Sequence, residues 1–209
     1  MVLDAYRHLA DAVLDPIARR FEGVSPNALT WAALVFAGFA GIAFLFRGGW
    51  ALVLGALCAF LNAFLDALDG KVAKMFGKAS RRGDFLDHVV DRYADVLMLG
   101  GITIGPYCSQ WPWLGLLAIV GVLLTSYMGT QAQAVGAGRL YAGVLGRADR
   151  LVILIAAALL QAAYDPNSIR DLGLGAARYT ILAWAMALFA VLGNFTAIQR
   201  AASTWRHLT

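Results

Sequence analysis

Residues 50–95 read WALVLGALCAFLNAFLDALDGKVAKMFGKASRRGDFLDHVVDRYAD, and the conflict inside this stretch decides the fold. Trp50 to Leu65 carries no charge, whereas the segment that follows holds Asp66, Asp69, Asp84, Asp87, Asp91 and Asp95. Exposed to lipid near a bilayer centre, six such groups would cost on the order of 15–20 kcal/mol. They are tolerable only if they line a wet, inward-facing cavity near the cytoplasmic side. Asp66 and Asp69 are spaced i, i+3 and Asp87 and Asp91 i, i+4, so each pair projects from one helical face. A short connection makes the two faces neighbours. Four carboxylates about 5 Å apart repel by roughly 3 kcal/mol per pair at an effective dielectric near 20, so protons or cations must relieve them. Oxygen ligands without Cys or His suit Mg²⁺, Mn²⁺ or Ca²⁺ rather than zinc. His88 follows Asp87 but points about 100° away on a helix, and is read as structural.

The rest of the chain agrees with a membrane setting. Of its 209 residues 60% are apolar and 14% charged, with a mean hydropathy of +0.67; soluble domains run near 45–50% and 25%. This excludes a disordered chain, a basic nucleic-acid-binding domain and an ordinary soluble enzyme. The length suits one domain, residues 1–209, and the net charge of +4 reports topology first. Cys58 and Cys108 are too few for a disulfide framework. The first apolar stretch starts near Ala28, after Arg19, Arg20 and Glu22, too late for a cleavable leader.

Leu3, Tyr6, Leu9, Ala10, Val13, Leu14, Ile17 and Phe21 recur at helical spacing with Arg7, Asp11, Asp15 and Arg19 between them. Residues 1–22 therefore read as an amphipathic interfacial helix, interrupted at Pro16. Ser25-Pro26 starts the next helix. Spans are expected at about 28–46, 50–69, 84–104, 109–135, 143–164 and 179–199. The fold class is an all-α integral membrane protein of six transmembrane helices. With the N-terminus cytoplasmic, the inner segments hold 13 Lys and Arg, among them Lys71, Lys74, Lys78, Arg81, Arg82, Arg147 and Arg150. Only Arg47, Arg170 and Arg178 fall outside, with Arg92 inside the third span. The positive-inside rule then puts both termini in the cytoplasm of a multi-pass protein of the cell membrane. Asp84 reads as a helix N-cap, and Asp95 as a partner of Arg92.

Small residues (Gly70, Ala73, Gly83) permit close approach of a phosphate-bearing ligand, and basic residues surround them. Cations, guanidinium or ammonium groups and backbone donors together suit a pyrophosphate and its leaving group.

The pattern Asp66-x2-Asp69-Gly70-x2-Ala73-Lys74-x8-Gly83-x3-Asp87-x3-Asp91 resembles the signature of the CDP-alcohol phosphotransferases. Seven of its eight fixed positions agree; Lys74 stands where the family usually has Arg, keeping the charge but losing the bidentate fork. The surface helix, six spans and cytoplasmic termini also match that family's architecture. The resemblance implies that Asp66, Asp69, Asp87 and Asp91 hold two divalent ions, Mg²⁺ or Mn²⁺, on the pyrophosphate of a CDP-linked lipid. It implies that Asp91 is the base on the acceptor hydroxyl. Asn27, Gly70, Lys74 and Ser80 would lie along the CDP moiety. Attack on the lipid-side phosphorus would release CMP and pass a phosphatidyl or archaetidyl group to a polar alcohol. The family also implies a homodimer.

Ser126-Tyr127 and Arg147-x2-Arg150 resemble a region of the phosphatidylinositol-phosphate synthases. Arg147 and Arg150 share a helix face and suit a phosphorylated acceptor. Those enzymes typically carry Lys and Arg a few residues after the Tyr, where this chain has Gly129 and Gln131. Inositol phosphate is the first acceptor, with glycerol phosphate or serine as alternatives. The run Gly129 to Gln133 is polar for a span and is read as lining the cavity. A carboxylate-lined cation or proton transporter is the competing class; its charges would sit at the midplane on broken helices, whereas these border one cytoplasmic loop.

Overall fold

The computed structural model describes residues 7–138, 143–164 and 180–208, with side chains from residue 12 onward. Arg139, Arg170 and Arg178, which entered the charge count, lie outside these residues, and so do the first six residues of the N-terminal helix. Among the described residues there are seven helices: α1 (Arg7–Arg20), α2 (Pro26–Ala43), α3 (Gly49–Met75), α4 (Arg81–Ile104), α5 (Pro112–Ala134), α6 (Arg147–Tyr164) and α7 (Ile181–His207). Four of them, α2, α3, α5 and α7, are long and apolar enough to cross a membrane.

Local chemistry sets the helix ends. Pro26 and Pro112 occupy first turns, where a missing N–H costs nothing. Ser80, rather than Asp84, caps α4: its Oγ accepts from Gly83 N at 3.0 Å, and Asp84 stands exposed in the first turn. Thr180 caps α7 by accepting from Ala183 N at 3.0 Å. Pro16 does not break α1; the helix continues through it, at the cost of one backbone hydrogen bond. Three expected boundaries move by four residues or more, one of them the end of the sixth span, which runs on to His207 instead of 199. The fifth span starts at Arg147 instead of residue 143, because Gly143 has φ +155° and Asp149 Oδ2 accepts from Gly146 N at 3.0 Å ahead of the first turn. The second continues past Asp69 to Met75, a helix about 40 Å long against a hydrocarbon core of about 30 Å.

The six longer helices close a ring. Each packs on two others in the order α2, α3, α6, α7, α5, α4 and back to α2, while α1 packs on α3. Phe44, Leu52, Met98, Ile102, Leu182, Met186 and Phe189 form the centre of the core. A smaller cluster joins Ala18, Leu14, Ile17 and Phe21 of the N-terminal segment to Leu29, Leu68 and Val72. Lys71 of α3 pairs with Asp15 of α1 at 2.5 Å, and Lys78 of the α3–α4 connection donates to the Glu22 and Val24 carbonyls just after α1, so these two lysines fasten the N-terminal segment.

Where lipid offers no hydrophobic push between helices, backbones must approach closely. A Cβ on Gly101 would lie 2.1 Å from the Gly41 carbonyl oxygen, and one on Gly41 2.4 Å from the Leu97 oxygen. These two glycines therefore set the α2–α4 crossing. Gly101→Ala is expected to destabilise by about 3 kcal/mol, at the upper end for overpacking, whereas Gly100→Ala, with nothing within 4 Å of the new Cβ, is expected to be neutral. Thermal melting of the two variants in the same detergent checks this; equal melting points would refute it.

Candidate active site

The last turns of α3 and the first turns of α4 meet across a short connection that turns at Gly77 (φ +63°). This brings one carboxylate oxygen each from Asp66, Asp87 and Asp91 within 4.8 Å of one another. Three hard oxygen donors at this separation fit a divalent cation of the Mg²⁺ or Mn²⁺ kind. Asp69 stands apart from that set. It is 5% exposed and its Oδ2 accepts from Thr30 Oγ1 of α2 at 2.5 Å. His88 directs Nδ1 to the Asp84 carbonyl oxygen at 2.8 Å, and its ring lies 3.8 Å from carboxylate oxygens of Asp84 and Asp87.

A guanidinium enters the cluster from α6. Arg147 Nη1 lies 2.6 Å from Asp66 Oδ2 and 2.7 Å from Asp91 Oδ1. It supplies part of the positive charge that the crowded carboxylates require. Arg150, one turn on, does not join it: Arg150 Nη2 donates to Asp95 Oδ2 at 3.1 Å. Asp95 also faces Arg92, as its i, i+3 spacing suggested, though at 3.7 Å.

Some of these groups, Asp91, Arg147 and Arg150 among them, form one wall of a cavity of about 830 Å³. Asp91, Arg92, Arg147, Arg150, Tyr127, Thr130 and Gln133 line it, together with Arg200 from α7. Of the polar run on α5, Gly129, Thr130 and Gln133 face the cavity and Gln131 does not. Arg92 and Arg200 were not singled out from the sequence as site residues. Arg92 carried a signal, a cation inside an otherwise apolar span. Arg200 carried none, since a basic residue just past an expected span reads as a topology signal alone. It is 7% exposed, and its Nη1 donates to the Thr125 carbonyl at 2.7 Å.

A second recess, of about 370 Å³, lies between the start of α2 and the α3–α4 connection, lined by Ser25, Pro26, Asn27, Lys78 and Ser80. Gly83 closes one side: a Cβ there would lie 3.3 Å from Ser80 Oγ and 3.4 Å from Asn27 Oδ1. At Gly70, by contrast, nothing in the protein lies within 4 Å of where a Cβ would stand, and the Lys74 side chain is exposed. The space beside Gly70 is thus open to a ligand.

Carboxylates gathered for a divalent ion, an open glycine beside them and an arginine-lined cavity behind define a phosphate-transfer site in a membrane protein. Residues 23–193 match the family model for CDP-alcohol phosphatidyltransferase, and the chain belongs to that family. It is a transferase of phospholipid synthesis, acting on substituted phosphate groups with a divalent metal. It is 34% identical to the archaetidylinositol phosphate synthase of Pyrococcus horikoshii over 140 residues, covering 67% of this chain and 72% of that one. It is 31% identical to the archaetidylinositol phosphate synthase of Methanothermobacter thermautotrophicus, covering 99% and 96%. The fold is that of the phosphatidylinositol phosphate synthase of Mycobacterium tuberculosis, whose structure with CDP-DAG bound superposes with a TM-score of 0.75 at 24% identity, over 93% of this chain and 94% of that one. That enzyme has also been solved in complex with manganese and citrate.

Proposed function

We propose that this chain transfers a phosphatidyl or archaetidyl group from a CDP-linked lipid to inositol phosphate, releasing CMP. The observation that carries the reading is the carboxylate set Asp66, Asp87 and Asp91, of which Asp91 reaches the wall of an arginine-lined cavity. The synthases named above, for inositol-phosphate lipids, support the acceptor; glycerol phosphate and serine are the alternatives.

Asp66, Asp69, Asp87 and Asp91 would hold the divalent ions, Asp69 after turning from Thr30. Bound there, the ions would supply positive charge to the pyrophosphate and so lower the cost of breaking its bridging bond as CMP leaves. Gly70, Lys74, Asn27 and Ser80 bind the CDP moiety along the open glycine and the smaller recess. Lys74 contributes charge without the fork of an arginine. Arg147 and Arg150 take the acceptor's phosphate, which points its hydroxyl at the lipid-side phosphorus. Asp91 accepts the hydroxyl proton as the new P–O bond forms, and the bond to CMP breaks in line. The ring of helices keeps the lipid tails in the bilayer while the reacting phosphates stay in the wet cavity.

This reading takes residues 1–209 as one domain with six spans, α2 to α7, both termini in the cytoplasm of a cell-membrane protein, and α1 on the membrane surface as an amphipathic helix. The exposed apolar side chains along α2, α3, α5 and α7 and the charge asymmetry support it. A homodimer is part of the same proposal, on family grounds.

The test is CMP release by purified protein given CDP-diacylglycerol or CDP-archaeol, Mg²⁺ or Mn²⁺, and each acceptor in turn. Release that requires both metal and inositol phosphate is expected. Release with glycerol phosphate or serine but not inositol phosphate would reassign the acceptor, and release indifferent to acceptor and metal would end the reading. Gly70→Ala gives a sharper check on the CDP subsite. The new methyl meets no protein atom, so melting is expected to hold while KM for the CDP-lipid rises about tenfold, as when a close backbone approach is blocked. An unchanged KM would remove Gly70 from the subsite.

A further inference from the structure

The charges of the site continue beyond the signature. Arg147 lies against Asp66 and Asp91. Arg92 Nη2 stands 3.4 Å from Asp91 Oδ2 and 3.7 Å from Asp95 Oδ2, and Arg150 Nη2 stands 3.1 Å from that same Asp95 oxygen. Acid and base alternate from Asp66 through Arg147, Asp91, Arg92 and Asp95 to Arg150. The last acid of this series, Asp95, lies one helical turn past the signature.

Stability does not account for Asp95. It is 5% exposed and Arg150 6%, and a buried ion pair is commonly no better than apolar groups of the same volume. Ionisable groups buried in a membrane protein are a reason to look for function. Here one carboxylate oxygen serves two guanidiniums. Without it, Arg92 and Arg150 would repel each other across a poorly screened gap. Arg92, 28% exposed at its side chain against 7% for Arg150, has water to turn to. Both arginines line the large cavity.

We propose that Asp95 is a positioning residue for acceptor recognition, holding Arg150 and Arg92 side by side as a two-guanidinium wall. The trio carries one net positive charge toward the cavity, which suits a phosphomonoester and not a neutral polyol. The proposal rests on the reading of the cavity as the acceptor site.

Asp95→Asn, Asp95→Glu and Arg150→Gln in the full chain test it, each followed by CMP release against acceptor and against CDP-lipid, and by melting. Asp95→Asn is expected to raise the acceptor KM about tenfold or more, the range for a lost charged hydrogen bond, with the CDP-lipid KM within about twofold of wild type on the same scale. Asp95→Glu keeps the charge but displaces it, and is expected to raise the acceptor KM less, without lowering the melting point. Adding Asp95→Asn to Arg150→Gln is expected to cost less than the two single effects combined, since both act through one contact. A purely structural Asp95 would instead lower kcat and melting together and leave the acceptor KM alone, which overturns the proposal. If Asp95→Asn does not fold, a wild-type acceptor KM in Asp95→Glu overturns it equally. Arg150→Gln separates the two levels. A raised acceptor KM there beside unchanged Asp95 variants rejects only the positioning role, whereas an unchanged KM in Arg150→Gln rejects the acceptor reading and the proposal with it.

Discussion

Asp91→Asn is expected to lower CMP release at least ~10³-fold at saturating metal and substrates, since it removes both the proposed base and a metal-binding oxygen. The amide keeps the shape and relieves one like charge among Asp66, Asp87 and Asp91, so the fold should survive. Mn²⁺ binding, measured by titration calorimetry without substrate, should weaken in parallel with the loss of turnover. Asp84→Asn is the control: Asp84 is exposed in the first turn of α4, outside the set, and its turnover should stay near wild type. An Asp91→Asn protein that turns over normally would remove Asp91 from the chemistry.

Arg147→Gln is expected to have the second-largest effect, and on two observables. Its guanidinium bridges Asp66 and Asp91, all three partly buried; removing one partner costs about 3 kcal/mol, the low end of the range for a buried charge pair. For a chain of this size that corresponds to a fall in melting temperature of roughly 10 °C without metal. A divalent ion can replace the missing positive charge, so saturating Mn²⁺ should raise the melting point more in the variant than in wild type. The acceptor KM should rise as well, because Arg147 lines the cavity. Equal stabilisation of both proteins by Mn²⁺ would show that Arg147 is not balancing those carboxylates.

Much of this site could be read along the chain. The i, i+3 and i, i+4 spacings placed Asp66, Asp87 and Asp91 on facing surfaces because a short connection leaves two helices no other arrangement. The uncharged lengths located α2, α3, α5 and α7 because a bilayer selects on length and polarity alone. Other features were out of reach. Asp69 turned out to face Thr30, an arrangement set by where α2 packs. Asp84 looked like a cap, but Ser80, four residues earlier, has its hydroxyl in place for Gly83 N. Arg147 and Arg150 share a face, yet one reaches the α3–α4 carboxylates and the other Asp95.

Periodicity, apolar length and the spacing of acids thus sufficed for a helical membrane protein with a candidate divalent-cation site, since each is a property of one helix or one short connection, and the resemblance of the signature added the family. The closed order of the helices, the Gly41–Gly101 crossing, the arrival of Arg200 at the cavity and the sharing of Asp95 between two arginines belong to packing alone. They join residues about 50 to 100 positions apart, and no local pattern records which helix faces another when every face toward lipid is equally apolar.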